Sequence, residues 1–181
     1  MDAAVMAFDH IEGAEHAFAS AEERTPGASW IQNAAFVEMH RKGRIVVRGT
    51  IAGHYVDIDD EGDLIGVDTA RGAIIGVVAG LAFGPPGWAV GLVAGGLAGG
   101  IEEANHIPTL KGRGFDEIRK DVPENSSAVV VVADSADVDA MVAAFAEKPG
   151  RLTRHHLSPE AYADLESAVA TFPPAAAPGQ A

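Results

Sequence analysis

Residues 128–145 read AVVVVADSADVDAMVAAF, and the fold turns on how this stretch is parsed. Ala128 to Ala133 is an unbroken apolar run of β-branched character, with the length and composition of a buried strand. Asp134 follows as a helix N-cap, and Val138, Met141, Val142 and Phe145 then recur at helical spacing. Pro149-Gly150 closes that helix, and Arg151 to Leu157 forms a further strand. Ser158-Pro159 opens a last helix, with serine as cap and proline at its first position.

The same order stands at the other end of the chain. Ala4 to Phe8 (AVMAF) is a short apolar run, Asp9 is a candidate N-cap, and Ile11, Ala14, Ala17 and Phe18 mark a helix that Pro26-Gly27 ends. Ala34 to His40 and Arg44 to Ile51 read as two strands joined through Lys42-Gly43. Two β-α-β units therefore flank a long insertion. The fold class they predict is α+β, a ferredoxin-like split βαβ sheet with an inserted glycine-rich helical hairpin. Its central strands would be Ala4–Phe8 and Ala128–Ala133, lying as parallel neighbours, because both are apolar at successive residues as strands covered on both faces should be. Residues 1–170 form one domain, interrupted at 72–101, and 171–181 (TFPPAAAPGQA) read as a disordered tail.

The insertion is the exceptional segment. Thirty consecutive residues, 72–101, contain no Asp, Glu, Lys or Arg, and ten of the 21 glycines fall among them. Gly72, Gly76, Gly80 and Gly84 recur every four residues, as do Gly87, Gly91, Gly95 and Gly99, on either side of a bend at Pro85-Pro86. At about 3.6 residues per turn each set makes one slowly drifting stripe along a helix. Glycine costs a helix interior roughly 1 kcal/mol relative to alanine. Eight in register are explained by close backbone approach, the small-xxx-small mode of helix packing.

The remaining positions carry bulky apolar side chains, among them Ile74, Val78, Leu81, Trp88, Leu92 and Leu97. Each is worth roughly 1.5–3 kcal/mol when buried, so this surface needs a cover. A bilayer, other copies of the hairpin, and the open face of the chain's own sheet are the three candidates. Each arm of about 14 residues reaches only about 21 Å, short of a hydrocarbon core about 30 Å thick. Shallow insertion therefore fits better than a full span.

Composition removes several classes of function. With 13 Lys+Arg against 26 Asp+Glu the net charge is −13, which opposes binding to nucleic acid. No cysteine is present, so thiol catalysis, disulfides and Cys-type zinc sites are excluded. Met1 to Val5 carries no basic n-region or apolar h-region, and the expectation is a cytoplasmic chain, peripheral to or inserted in the inner membrane.

Asp57-Ile58-Asp59-Asp60-Glu61-Gly62-Asp63-Leu64 approaches a calcium loop. Asp57, Asp59, Glu61, the backbone of Asp63, and Asp68 at the twelfth place would be the ligands. The alternative is an acidic β-hairpin with Glu61-Gly62 in the turn and Val56, Ile58 and Leu64 facing inward, since the preceding IAGHYV reads as strand. The seven histidines (10, 16, 40, 54, 106, 155 and 156) include no zincin pair, and His155 and His156 point to opposite faces of a strand. Lys111-Gly112-Arg113-Gly114 lacks the spacing of a nucleotide loop, and no Gly-x-Ser-x-Gly elbow is present. No constellation of catalytic residues and no cofactor site is legible.

A strand–helix half, a charge-free GxxxG-rich hairpin, an acidic linker and SSAVVVVADSADVDAMVAAF together resemble the bacterial and archaeal family known as domain of unknown function 1269. The resemblance runs over roughly residues 3 to 170, and the acidic stretch Asp57 to Asp68 departs from it. Its members are commonly described as predicted membrane proteins, and it implies no catalytic residue. The expected function is that of a non-enzymatic structural or interaction protein using the hairpin for membrane association or homo-oligomeric assembly. The alternative is a soluble ligand- or divalent-cation-binding module, with a role in stress.

Overall fold

The computed structural model describes residues 1–60, 124–146 and 150–175. Strands β1 (Asp2–Phe8), β2 (Ala34–Met39), β3 (Ile45–Ile51), β4 (His54–Asp60), β5 (Ser126–Ala133) and β6 (Arg151–His156) join helices α1 (Gly13–Arg24), α2 (Ser135–Phe145) and α3 (Pro159–Val169). The strands make a six-stranded sheet in the order β4-β3-β2-β5-β1-β6, and every neighbouring pair is antiparallel. The protein is α+β.

The two apolar runs are central neighbours, as their composition requires, with Val5 opposite Val130. They run antiparallel, and the parallel pairing expected from the sequence is wrong. The crossover through α1 places β2 parallel to β1 but one strand away, and β5 fills the gap between them in the opposite direction. Every residue of β1 and of β5 is buried.

Burial on both sides comes from two separate cores. On one face Ala4, Met6, Phe8, Val129 and Val131 pack against Ala14, Ala17 and Ala21 of α1 and against Val138, Met141 and Phe145 of α2. Trp30, from a 3-10 turn at Ser29–Asn33, is fully buried there, with its ring 5.7 Å from that of Phe145 and 5.6 Å from that of Phe18. On the opposite face Ala3, Val5, Val37, Ile45, Val47 and Val130 meet Leu165, Ala168 and Val169 of α3.

The helix starts use two different devices. Asp134 caps α2 as expected, accepting from the backbone N–H of Asp137 at 3.0 Å. Asp9 does not cap α1, whose N-cap position is Glu12 with no side-chain bond. The buried Ser127 of β5 does that work from across the sheet. Its Oγ accepts from Ala14 N–H at 2.9 Å and donates to the carbonyl of His10 at 2.7 Å. A cap 113 residues away in sequence is invisible to a local pattern.

Thr171–Ala175, the first residues of the proline- and alanine-rich tail, lie along the start of β4. Tyr55 N–H donates to the Pro173 carbonyl at 2.9 Å, and Ala175 N–H to that of Gly53 at 2.9 Å. The glycine-rich segment 72–101, with its expected hairpin, lies outside the described residues, as does 176–181.

Candidate functional site

The densest polar cluster in the described residues sits where β1 begins. Asp2 is nearly buried, with 7 % of its side chain exposed, and alternation along β1 places it on the same face as Ala4 and Met6. Register brings β6 beside it, with His156 directly opposite Asp2 and Arg154 opposite Ala4. Arg154 Nε donates to Asp2 Oδ2 at 3.0 Å, Nδ1 of His156 lies 2.8 Å from Oδ1, and Ser135 Oγ donates to Oδ2 at 3.1 Å. The other arm of the Arg154 guanidinium is bonded to Asp139 of α2.

Two strands and a helix start therefore meet on one carboxylate. Its hydrogen bonds, those from Arg154 foremost and then those from His156, hold the Asp2 carboxyl far below the usual carboxylate range, overcoming the opposing effect of burial. A group so firmly ionised cannot exchange protons near neutral pH. Ser135 and His156 both address Asp2 and not one another, so no relay from serine to histidine exists. The cluster is a lock that fixes the edge strand β6 and the first turn of α2 to β1.

A carboxyl depressed in the fold contributes stability above its ordinary value of 3.8 and loses it as pH falls through the lower folded value. Asp2→Asn is expected to cost about 1–2 kcal/mol at neutral pH, since Arg154 is partly solvated. The gap between the two proteins should narrow steadily below about pH 4. Urea unfolding at pH 7 and pH 3 measures both terms, and a gap that widens in acid would contradict this assignment.

The start of the acidic stretch, Asp57–Asp60, belongs to strand β4. Asp57 and Asp59 project from the same face of β4 at strand spacing and are engaged by β3: Arg48 Nε lies 3.3 Å from Asp57 Oδ1, and Arg44 Nε 2.7 Å from Asp59 Oδ1. The Arg44 guanidinium holds the Asp59 carboxyl below its usual value. Val56 and Ile58 alternate with them into the core. Glu61, Asp63 and Asp68, the other expected calcium ligands, lie outside the described residues, and so do the glycines 72, 76, 80, 84, 87, 91, 95 and 99. Among the described residues no group of three or more His, Asp or Glu is placed to hold a metal ion.

A cation at Asp57 and Asp59 would have to displace two guanidinium groups. Millimolar calcium is accordingly expected to leave the amide shifts of residues 54–60 and the melting temperature nearly unchanged. A saturable shift abolished by Asp57→Ala and Asp59→Ala would instead establish the site.

His155 and His156 do face opposite ways. His156 joins the Asp2 lock, while His155 Nε2 is buried on the α3 side with no hydrogen-bond partner among the described residues. The lock itself escaped the sequence reading, because Asp2 and His156 are separated by 154 positions and no local spacing links them.

The model of the family described as a protein of unknown function, DUF1269, matches residues 69–170, more than half of the chain. The chain belongs to that family. The matched span takes in the glycine-rich segment, β5, α2, β6 and α3, and leaves β1 to β4 outside it. No curated protein and no solved structure matches the chain. No helix among the described residues is long and apolar enough to cross a membrane.

Proposed function

We propose that the protein is a non-enzymatic interaction protein, in which a ferredoxin-like split βαβ domain displays residues 72–101 as a glycine-zipper hairpin for membrane association or homo-oligomeric assembly. The order β2-β5-β1-β6, with α1 and α2 on one face, supports the ferredoxin-like description. The observation that carries the functional reading is where the insertion joins the sheet. Asp60 at the end of β4 pairs with Ile45, Ile45 with Met39, and Met39 with Ser126 at the start of β5. Three strand spacings of about 4.8 Å make a gap of about 14 Å. The chain leaves and re-enters at one end of one sheet, an arrangement that suits a charge-free segment turning back on itself. A hairpin of two glycine-striped arms has that form, and the stripes present backbone for close contact.

The test is Gly76→Leu, Gly80→Leu, Gly91→Leu and Gly95→Leu combined. Leucine raises helix propensity, so a lone helix would gain stability. If close contact is the purpose of the stripes, the added side chains overpack it at about 1–3 kcal/mol per site. The quadruple variant is expected to lose assembly or bilayer association while keeping the circular dichroism of the parent. Unchanged size and partitioning would refute the zipper.

A further inference from the structure

The two edges of the sheet are finished differently. At β4 the chain covers the start of its own edge: Tyr55 N–H bonds to the Pro173 carbonyl, and His54 forms a bridge with Pro174. These consecutive prolines lack the N–H groups that a further strand would need there. At β6, the opposite edge, one bond fixes which backbone groups face outward. Leu157 N–H donates to the Met1 carbonyl at 3.0 Å, one step beyond the Asp2–His156 pair, so Met1 and Leu157 are a hydrogen-bonded pair of the antiparallel register. Alternation then turns the backbone groups of Arg151, Thr153 and His155 towards β1, and those of Leu152, Arg154 and His156 away from it. None of these outward N–H and carbonyl groups has a hydrogen-bond partner among the described residues.

The side chains of β6 are open to solvent along with its backbone. Leu152 is 37 % exposed, Arg151 is exposed, and 80 % of the His156 side chain is accessible. In a chain of net charge −13, β6 (RLTRHH) holds two arginines, two histidines and no acid. Register spreads them over both faces, with Arg154 and His156 on the side of Asp2, and Arg151 and His155 on the side of α3. Arg154 is answered by Asp2 and Asp139, whereas Arg151 has no ion pair among the described residues. We propose that the outer edge of β6 is a strand-addition site for an extended acidic segment of a partner protein. The segment's main chain bonds to Leu152, Arg154 and His156, and its carboxylates meet Arg151 on one face or His156 on the other. A second copy of β6 is a poorer occupant. A twofold axis that pairs all three outward residues sets Arg154 against Arg154, and like charges directly opposite destabilise a sheet. The site uses no residue of 72–101 and stands apart from the role proposed for that segment.

Alternation along β6 gives the test a pattern that loose contact would not produce. The probe is a peptide of about eight residues alternating glutamate and valine, with a lysine–valine counterpart as control. Amide hydrogen exchange is followed by NMR on the full chain at millimolar peptide. The glutamate peptide is expected to slow exchange at Leu152, Arg154 and His156 by about tenfold or more, and to leave Thr153 and His155, already bonded to β1, unchanged. The effect should weaken with added salt, and the lysine peptide should produce none. Leu152→Pro deletes one outward N–H without touching the β1 ladder, and is expected to weaken binding about tenfold while Thr153 and His155 stay protected. Arg151→Glu changes only an exposed side chain and should weaken the glutamate peptide severalfold. No slowing at the three amides, equal binding of both peptides, or full binding by both variants would overturn the proposal. Protection of the same amides that rises with protein concentration in the absence of peptide would give the edge to a second copy instead.

Discussion

Trp30→Ala is expected to lower the free energy of unfolding by about 3–5 kcal/mol, the range for deleting a fully buried large aromatic. Domains hold roughly 5–15 kcal/mol in all, so this variant stands close to global unfolding. The reason is position. Trp30 is 0 % exposed and meets Phe145 and Phe18 edge-on where the 3-10 turn closes the helical face of the sheet. Its indole N–H has no hydrogen-bond partner among the described residues. Trp30→Phe therefore loses volume but also removes an unsatisfied donor, worth about 1–3 kcal/mol, and is expected to remain near the parent. Urea midpoints at constant slope read both variants. A phenylalanine variant as damaged as the alanine one would mean that the N–H is satisfied after all.

Gly49→Val should be nearly as severe for a different reason. Gly49 lies in β3 with φ at +134°, a region that side-chain-bearing residues avoid. A Cβ there would meet the Ala34 carbonyl oxygen at 2.5 Å and Ala35 Cα at 2.6 Å, both backbone atoms of β2. Neither can swing aside as a flexible side chain would. Strain of this kind costs about 1–3 kcal/mol, and separating β2 from β3 adds a similar amount through lost packing. Gly53, in the turn between β3 and β4, has φ at +78° but nothing within 4 Å of its virtual Cβ. Gly53→Ala is thus the control, losing only the conformational part of about 1 kcal/mol. Equal losses at the two glycines would show that the contact with β2 is unimportant.

What was legible in the sequence divides along physical lines. The apolar runs at 4–8 and 128–133 announce buried neighbours, because continuous burial is a property of composition. Their direction was not legible, since an apolar run reads the same whether its partner is parallel or antiparallel. Direction came from topology, with α1 carrying the chain over a gap that β5 later fills. Local signals such as the Asp134 cap and the close of α1 near Pro26-Gly27 were readable for the same reason that they are local. Ser127 capping α1 from β5, and Asp2 gathering Arg154 and His156, depend on strand register between distant parts of the chain. The arginines bonded to Asp57 and Asp59 sit 9 and 15 positions upstream on the neighbouring strand, so local spacing does not reveal them.

The function proposed here rests on residues 72–101 holding copies of the protein together or holding it to a bilayer. The direct measurement separates cells that make the unaltered chain into membrane and soluble pools, then sizes the soluble pool by sedimentation across a range of concentrations. The account predicts that the chain sediments with membranes, or that its soluble form is a discrete homo-oligomer larger than the 18.7 kDa chain. A chain recovered wholly in the soluble pool, and monomeric at every concentration, would contradict it.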